Sequence, residues 1–334
     1  MKKIAVTGTK GKTTVVNVVA SVLQKLDQNV LKVDTTGHYV NGERKSTLDD
    51  SKNTWKLVPT VSPGRYLWEF FANPELETNG VAVLETAIGS SRREGLGYRS
   101  HEVGVFLNVY EDHLGASSRL QTRRDIAEAK SFIFTAVAKY GYAVFNADDK
   151  LVCEMLQRID PKFMVQLIPC GLSFENFDVN THLDKGGVAI TVVENQVVIR
   201  TADGNKPLVN LMNIPWTFNG AFMPSVTNVI HSVAALFAYY EGNLPRNFSQ
   251  VFESVRLDPY GGRLTLLKAK NGCTIIADYA HEKESLKEIG GLARRIKKSN
   301  GCVWGVVRLA HDRPDSVFIE TGHVVAKAFD KLVV

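Results

Sequence analysis

Residues 6–16 read VTGTKGKTTVV, a bend of glycine, lysine and threonine set between two apolar runs. Gly8 and Gly11 allow backbone amides to turn inward, Lys12 brings a cation, and the Thr13 hydroxyl suits a metal ion. Upstream, Ile4, Ala5 and Val6 stand in a row and predict a short buried strand over 2–7. Downstream the period changes. Val15, Val18, Val19, Val22 and Leu26 recur at helical spacing, and Val16, Ala20 and Leu23 make a second apolar face, which predicts a helix covered on two sides. Strand, bend and helix start together offer free N–H groups and a partial positive charge to an anion. The strict phosphate-loop pattern asks for glycine at position 6, where Val6 stands. G-K-T-T at a helix start still fits a loop for a nucleoside triphosphate, with Lys12 on the outer phosphates and Thr13 on its magnesium. Gly8, Thr9, Lys10, Gly11, Lys12, Thr13 and Thr14 are the candidate contacts of that loop.

Three further places could do chemistry. Glu85 closes the run GVAVLE, and the carboxyl end of a strand is where open α/β sheets bind ligands; the bland alternative is a solvent-side charge. The next strand-like run, EVGVFLNV at 102–109, leads into YEDHLG with Asp112 and His113. Two adjacent strand ends beside a phosphate loop predict one crevice for metal and phosphate. There the carboxylates of Glu85 and Asp112 are easier Mg²⁺ ligands than imidazole. The third is Lys130. In RRDIAEAKSFIFTAVAKY, read as one helix over 123–140, Ile126, Ile133 and Val137 form an apolar stripe with Lys130 in its middle. A lysine so placed must snorkel, pair or be modified.

The elements that position these residues follow from the same patterns. Strand-like runs at 29–34 and 142–146 join those at 2–7, 80–85 and 102–109, with helical stretches between several of them, which predicts a mostly parallel sheet. Residues 186–201 alternate and turn at Glu194-Asn195, predicting a β-hairpin in a small antiparallel patch, and a long helix is expected at 223–241. The turn-rich DPYGG at 258–262 is the best boundary. After it come two strands, a helix, CVWGVV, another helix and KLVV, whose apolar residues predict a buried last strand. This second stretch is short for an α/β domain and is expected to be incomplete. A length of 334 residues suits two domains, and apolar content of 44% with charged content of 22% is that of a soluble globular protein. A net charge of +5 makes no case for nucleic acid. Neither a membrane span nor a secretory signal is legible, so a cytoplasmic location is expected. Cys153, Cys170, Cys273 and Cys302 are scattered without a C-x-x-C pair and signal neither a disulfide framework nor zinc.

Taken together and in this order, these residues resemble the Mur ligase superfamily of ATP-dependent amide-bond ligases. Within it they are most similar to the Mur-ligase-like C-terminal half of cyanophycin synthetases. VTGTKGKTT resembles that family's phosphate loop, Val6 included; ETAIGSSRREGLGY, VFLNVYEDHLG, AEAK, VFNADD and IPWTFNGAFMPSVTNVIHSVAA resemble further landmarks; GGRLTLL, IIADYAH and HDRPDS resemble elements of its second domain. The resemblance implies an α/β fold: a P-loop-containing, mostly parallel sheet domain of the Mur ligase central type over 1–257, then a short, incomplete Rossmann-like domain over 258–334. It implies a ligase that joins a carboxylate to the amine of an amino acid or peptide through an acyl phosphate, with ATP and Mg²⁺, releasing ADP and phosphate. Lys12, Glu85, His113 and Lys130 would be catalytic. Thr13, Glu85, His113 and Lys130 would be metal ligands, the lysine as its carbamate. Asn228 would meet adenine, Arg263 the γ-phosphate and Asp278 the ribose side, with His281 in the same nucleotide loop.

There are departures. Ile88-Gly89-Ser90 replaces arginine-glycine-glycine, Glu282-Lys283 replaces asparagine-proline, and His311 stands where the family has glycine. An upstream ATP-grasp half or UDP-sugar domain, and the last strands of the second domain, are expected to be missing, which leaves room for a homo-oligomer or a partner chain that supplies them. Two readings compete with the ligase: a P-loop ATPase switch and a non-catalytic assembly partner. The switch explains the opening bend but neither Lys130 nor DYAH.

Overall fold

Three expected strands appear residue for residue: Lys2–Thr7 is β1, Asn29–Asp34 is β2 and Gly80–Glu85 is β5, with β3 (Gly37–Val40) and β4 (Glu43–Lys45) between the last two. The computed structural model describes residues 1–45, 59–77, 79–88, 95–111, 119–257, 264–308 and 315–334. β6 spans His101–Phe106, and β7, Val137–Asn146, is longer than the apolar run at 142–146 suggests. With β8 (Gln166–Cys170), β9 (Ala189–Val193), β10 (Gln196–Thr201) and β11 (Gly204–Asn210), the described strands build one eleven-stranded sheet in the order 11-10-9-8-7-6-1-5-2-3-4. From β9 through β2 every neighbouring pair is parallel, and both margins are antiparallel. The expected hairpin turns at Glu194 and Asn195, both with positive φ (49° and 64°), as a tight β-turn requires. It is no separate patch but the margin of the large sheet.

Successive residues of β1 face opposite ways. Ile4 and Val6 pack with the helices Lys12–Lys25 and Met223–Tyr239, while Ala5 packs on the other side with Phe106, Ile126 and Phe145. β5 repeats the pattern, with Val81 and Val83 on the first face and Ala82 and Leu84 on the second. Cover on both faces explains why these strands read as continuous apolar runs.

Several expectations are corrected. The stretch 123–140 is not one helix: it breaks into Arg123–Lys130 and Phe132–Thr135, and Val137 already belongs to β7. Ser131 ends the first helix by turning its hydroxyl onto the Glu128 carbonyl (2.8 Å), an alternative to helical continuation that serine offers readily. Ile126, Ile133 and Val137 are nonetheless all buried. Glu85 and the segment after β6 do not close adjacent strands, because β1 lies between β5 and β6 and the two ends flank the loop from opposite sides. The terminal strand is not buried either. Residues 264–334 form the expected series: β12 (Thr265–Lys268) antiparallel to β13 (Thr274–Ala277), the helix Lys283–Ile296, β14 (Trp304–Val306), the helix Asp315–Ala328, and β15 (Lys331–Val333) parallel to β14. Leu332 is 38% and Val333 50% exposed, since β15 pairs in a sheet of only two described strands. DPYGG at 258–262 lies outside the described residues.

Candidate nucleotide and metal site

The helix Lys12–Lys25 begins without a side-chain cap and without an acidic residue in its first turn, and its N-cap, Gly11, is left-handed (φ 85°). The helices that begin after Thr122, Asp149, Asp178 and Glu282 are instead capped by those side chains. An uncapped N-terminus on a glycine bend keeps its first N–H groups for an anion. Space there is close. A Cβ on Gly11 would run into Asn228 Oδ1, and one on Gly8 (φ 152°) would sit 2.9 Å from Leu107 Cβ. The long helix thus carries Asn228 against the loop itself. Lys12 Nζ donates to the Thr9 carbonyl at 3.0 Å, which holds the ammonium over the bend.

What shapes the loop is a residue the sequence reading did not single out. Asn108, just past β6, accepts at Oδ1 from the amides of Thr9 (3.1 Å) and Lys10 (2.9 Å), and its Nδ2 donates to the Lys10 carbonyl (3.1 Å). The Tyr110 amide donates to Thr9 Oγ1 at 3.0 Å. Asp149, from the VFNADD landmark, accepts from the Val109 amide (2.8 Å), and Asn146 donates to the Leu107 carbonyl (2.9 Å). β7 therefore fixes the segment that in turn fixes the loop. Burial, with the charge of Asp149 nearby, pushes the Tyr110 phenol up to about 12, so it stays neutral.

On the other side of β1, Glu85 is buried at 2% exposure, and the Thr13 hydroxyl donates to its Oε2 at 2.9 Å. Thr35, after β2, donates its hydroxyl to Oε1 (2.9 Å) and its amide to Oε2 (3.3 Å). No group of three or more His, Cys, Asp or Glu able to hold a metal occurs among the described residues. A hydroxyl and one carboxylate beside a phosphate loop nevertheless fit Mg²⁺, which keeps waters and takes one or two carboxylates plus substrate phosphates.

Lys130 is buried (4% exposed) in the last turn of its helix. The start of that helix is tied to the site, because Arg123 donates to the Val109 carbonyl from Nε (3.2 Å) and Nη2 (2.5 Å). Asp278 Oδ2 accepts from the Leu264 amide at 2.7 Å. His281 meets the loop directly, with Nε2 3.4 Å from Lys10 Nζ, and Glu282 lies 4.0 Å from the same ammonium. Lys283 bridges Glu111, past β6, and Glu320, on the last helix, at 2.7 Å each. These two carboxylates hold its ammonium well above the usual range. Burial and the neighbouring Glu282 push Glu284 up to about 7. Asp112, His113 and Arg263, like Gly89, Ser90 and His311, lie outside the described residues. Thus the loop meets three of the expected residues: Thr13 contacts Glu85, Gly11 lies against Asn228, and Lys10 meets His281. Asn108 and Thr35 were missed as site residues, and Lys283 was noted only as a departure. Thr35 stands directly after the strand-like run 29–34, as Gly8 does after 2–7, while Asn108 lies near the end of the run 102–109.

A family model described as the Mur ligase middle domain matches residues 6–202, and the chain belongs to that family. Its relatives are named synthetases and ligases. It is 30% identical over 334 residues to cyanophycin synthetase of Synechocystis sp., covering 99% of this chain and 35% of that protein. It is 24% identical to UDP-N-acetylmuramoyl-L-alanyl-D-glutamate--2,6-diaminopimelate ligase 2 of Clostridium acetobutylicum, covering 94% of this chain and 57% of that one. The chain thus spans about a third of the length of the cyanophycin synthetases it matches. Among solved structures, E. coli FolC in complex with ADP superposes with a TM-score of 0.65 at 16% identity, over 99% of this chain and 74% of that one. A 2,6-diaminopimelate ligase structure superposes at 0.62 and 19% identity, over 99% and 61%. These likenesses establish the mixed α/β fold with its large, mostly parallel sheet. Among the described residues no helix is long and apolar enough to cross a membrane.

Proposed function

We propose that the chain is the nucleotide-binding part of an ATP-dependent ligase that joins a carboxylate to the amine of an amino acid or peptide by way of an acyl phosphate. The observation that carries this reading is the uncapped glycine loop with Lys12 above it and the Thr13–Glu85 pair beside it. Residues 1–257 serve as the ATP-binding unit and 258–334 as a second unit closing over it. Lys12 binds the outer phosphates, Thr13 and Glu85 give oxygen ligands to Mg²⁺, and the loop amides orient the nucleotide. His113 and a carbamylated Lys130 hold a second Mg²⁺; Asn228, Arg263 and Asp278 take base, γ-phosphate and ribose side. When bound, the metal neutralises phosphate charge, which positions an anionic carboxylate against an anionic donor. The contacts of Lys10 with His281 and Glu282 favour this over an isolated ATPase domain, because they bring the second unit to the phosphate loop, where closure excludes water.

The test is a screen of amino acids and dipeptides for ADP release, with mass spectrometry of the products. The expected result is release that depends on an added amine and a product heavier by one amide condensation. ATP turnover indifferent to every amine would make the chain an ATPase switch, and failure to bind ATP would make it an assembly partner.

A further inference from the structure

The β2 end contains a built arrangement that the proposed chemistry has not used. Asp34, fully buried, accepts at Oδ1 from both the amide (2.8 Å) and the hydroxyl (2.5 Å) of Thr36, so the turn Asp34-Thr35-Thr36 is pinned from within. Its Oδ2 takes an ion pair from Lys32 (2.9 Å) and a hydrogen bond from Asn17 Nδ2 (3.3 Å). Asn17 stands one turn after Thr13 and donates to the Thr13 carbonyl at 2.8 Å, and Lys32 donates to Asn17 Oδ1 at 2.5 Å. The contacts close a ring: Thr13 to Glu85, Glu85 to Thr35, then Asp34 and Asn17 back to Thr13. The Glu85 carboxylate already accepts from the Thr13 hydroxyl and the Thr35 amide, and both of those donors bond Oε2. The Thr35 hydroxyl is the described side-chain donor to Oε1.

We propose that Thr35 is a positioning residue for the metal site. Its hydroxyl fixes Oε1 so that Oε2 stays turned toward Thr13 and the phosphate loop, where a divalent cation bound to nucleotide phosphates takes it as a ligand. This rests on the reading of residues 8–14 as a nucleotide site. The arrangement is preorganised by the pinned turn, so the carboxylate need not be reoriented when the cation arrives. A merely structural Thr35 would stabilise the fold and leave metal affinity alone.

Thr35→Val keeps the shape and removes the hydroxyl, and Thr35→Ser keeps the hydroxyl. Mn²⁺ uptake, followed by electron paramagnetic resonance at saturating non-hydrolysable ATP analogue, reads the metal without turnover. A hydrogen bond to a charged group corresponds to about a tenfold effect at its lower end, so Thr35→Val should raise the Mn²⁺ dissociation constant about tenfold. Thr35→Ser should stay within about twofold and melt close to wild type. Thr35→Val, which leaves Oε1 without its hydroxyl donor, should melt somewhat lower, so uptake is compared at a temperature where all three proteins are folded. Wild-type Mn²⁺ affinity in the valine variant, or tighter binding, overturns the proposal while leaving the nucleotide reading intact. A serine variant as weak as valine also overturns it. If the wild-type chain takes up no Mn²⁺ with the analogue, the nucleotide reading falls and this proposal with it.

Discussion

Asn108→Ala removes three hydrogen bonds at once: two that its Oδ1 accepts from the Thr9 and Lys10 amides and one that its Nδ2 gives to the Lys10 carbonyl. Each such bond contributes about 1 kcal/mol net, so about 3 kcal/mol is the ceiling. The site is only partly buried, so water replaces some of the lost partners. The Thr9 amide also keeps its bond to the Asn108 carbonyl (3.0 Å), which the substitution does not touch. About 2 kcal/mol of loop preorganisation should therefore be lost, and a nucleotide must restore it on binding, which weakens the ATP dissociation constant roughly thirtyfold. Calorimetry with a non-hydrolysable analogue measures this directly, and thermal melting separates it from unfolding. Asn108→Asp is the sharper variant, since it keeps the acceptor but sets a negative charge under the phosphates; it should bind more weakly than alanine. Analogue affinity within twofold of wild type in a well-folded Asn108→Ala protein would refute the claim that this side chain shapes the loop.

Lys12→Ala should abolish turnover and weaken ATP binding with the fold intact; equal calorimetric affinities in variant and wild type would remove Lys12 from the site. Lys130→Ala should be nearly inactive yet partly rescued by a small added carboxylic acid, because on the proposed reading the lysine amine adds CO₂ and loses one proton to leave a carbamate oxygen ligand that the acid can replace. Lys130→Arg should stay inactive, and near-normal turnover in it would make Lys130 a structural cation. Lys283→Glu should raise the KM for ATP a few-fold, partly exposed ion pairs being worth about 1 kcal/mol or less each, and adding Glu111→Lys should recover part of the loss. A double variant no better than the single one would show that the Lys283–Glu111 contact does not help to hold the second unit at the loop.

The central sheet was legible because burial on both faces writes itself as unbroken apolar runs. β1, β2 and β5 needed nothing more than Ile4-Ala5-Val6 and its counterparts. The helix over 123–140 was misread because its apolar spacing runs on through Ser131, while the local bond from the serine hydroxyl to Glu128 ends the helix and pairing with β6 claims Val137. Apolar KLVV promised burial, but burial depends on what lies over a strand, and strand residues alone cannot report that. At the site, the loop and Glu85 announced themselves by residue type next to a period change. Asn108, Thr35 and Asp149 act through bonds to residues far along the chain, so their roles appear only when the strand order is known.

The same strand order decides when the loop can exist. β1 is a central strand whose partners are β5 and β6, and the bonds that finish the bend cross 98 residues from Lys10 to Asn108 and 72 from Thr13 to Glu85. Residues 8–13 leave the ribosome well before any of these partners, and Asn228 follows much later still. Such non-local closure is slow, and it leaves the glycine bend without shape while β1 waits, exposed, for its neighbours. Nucleotide capture during synthesis can begin only after β6 has been made and inserted beside β1. A ligand that binds the finished loop therefore stabilises contacts between strands far apart in the chain, and it acts on the whole domain rather than on the loop alone.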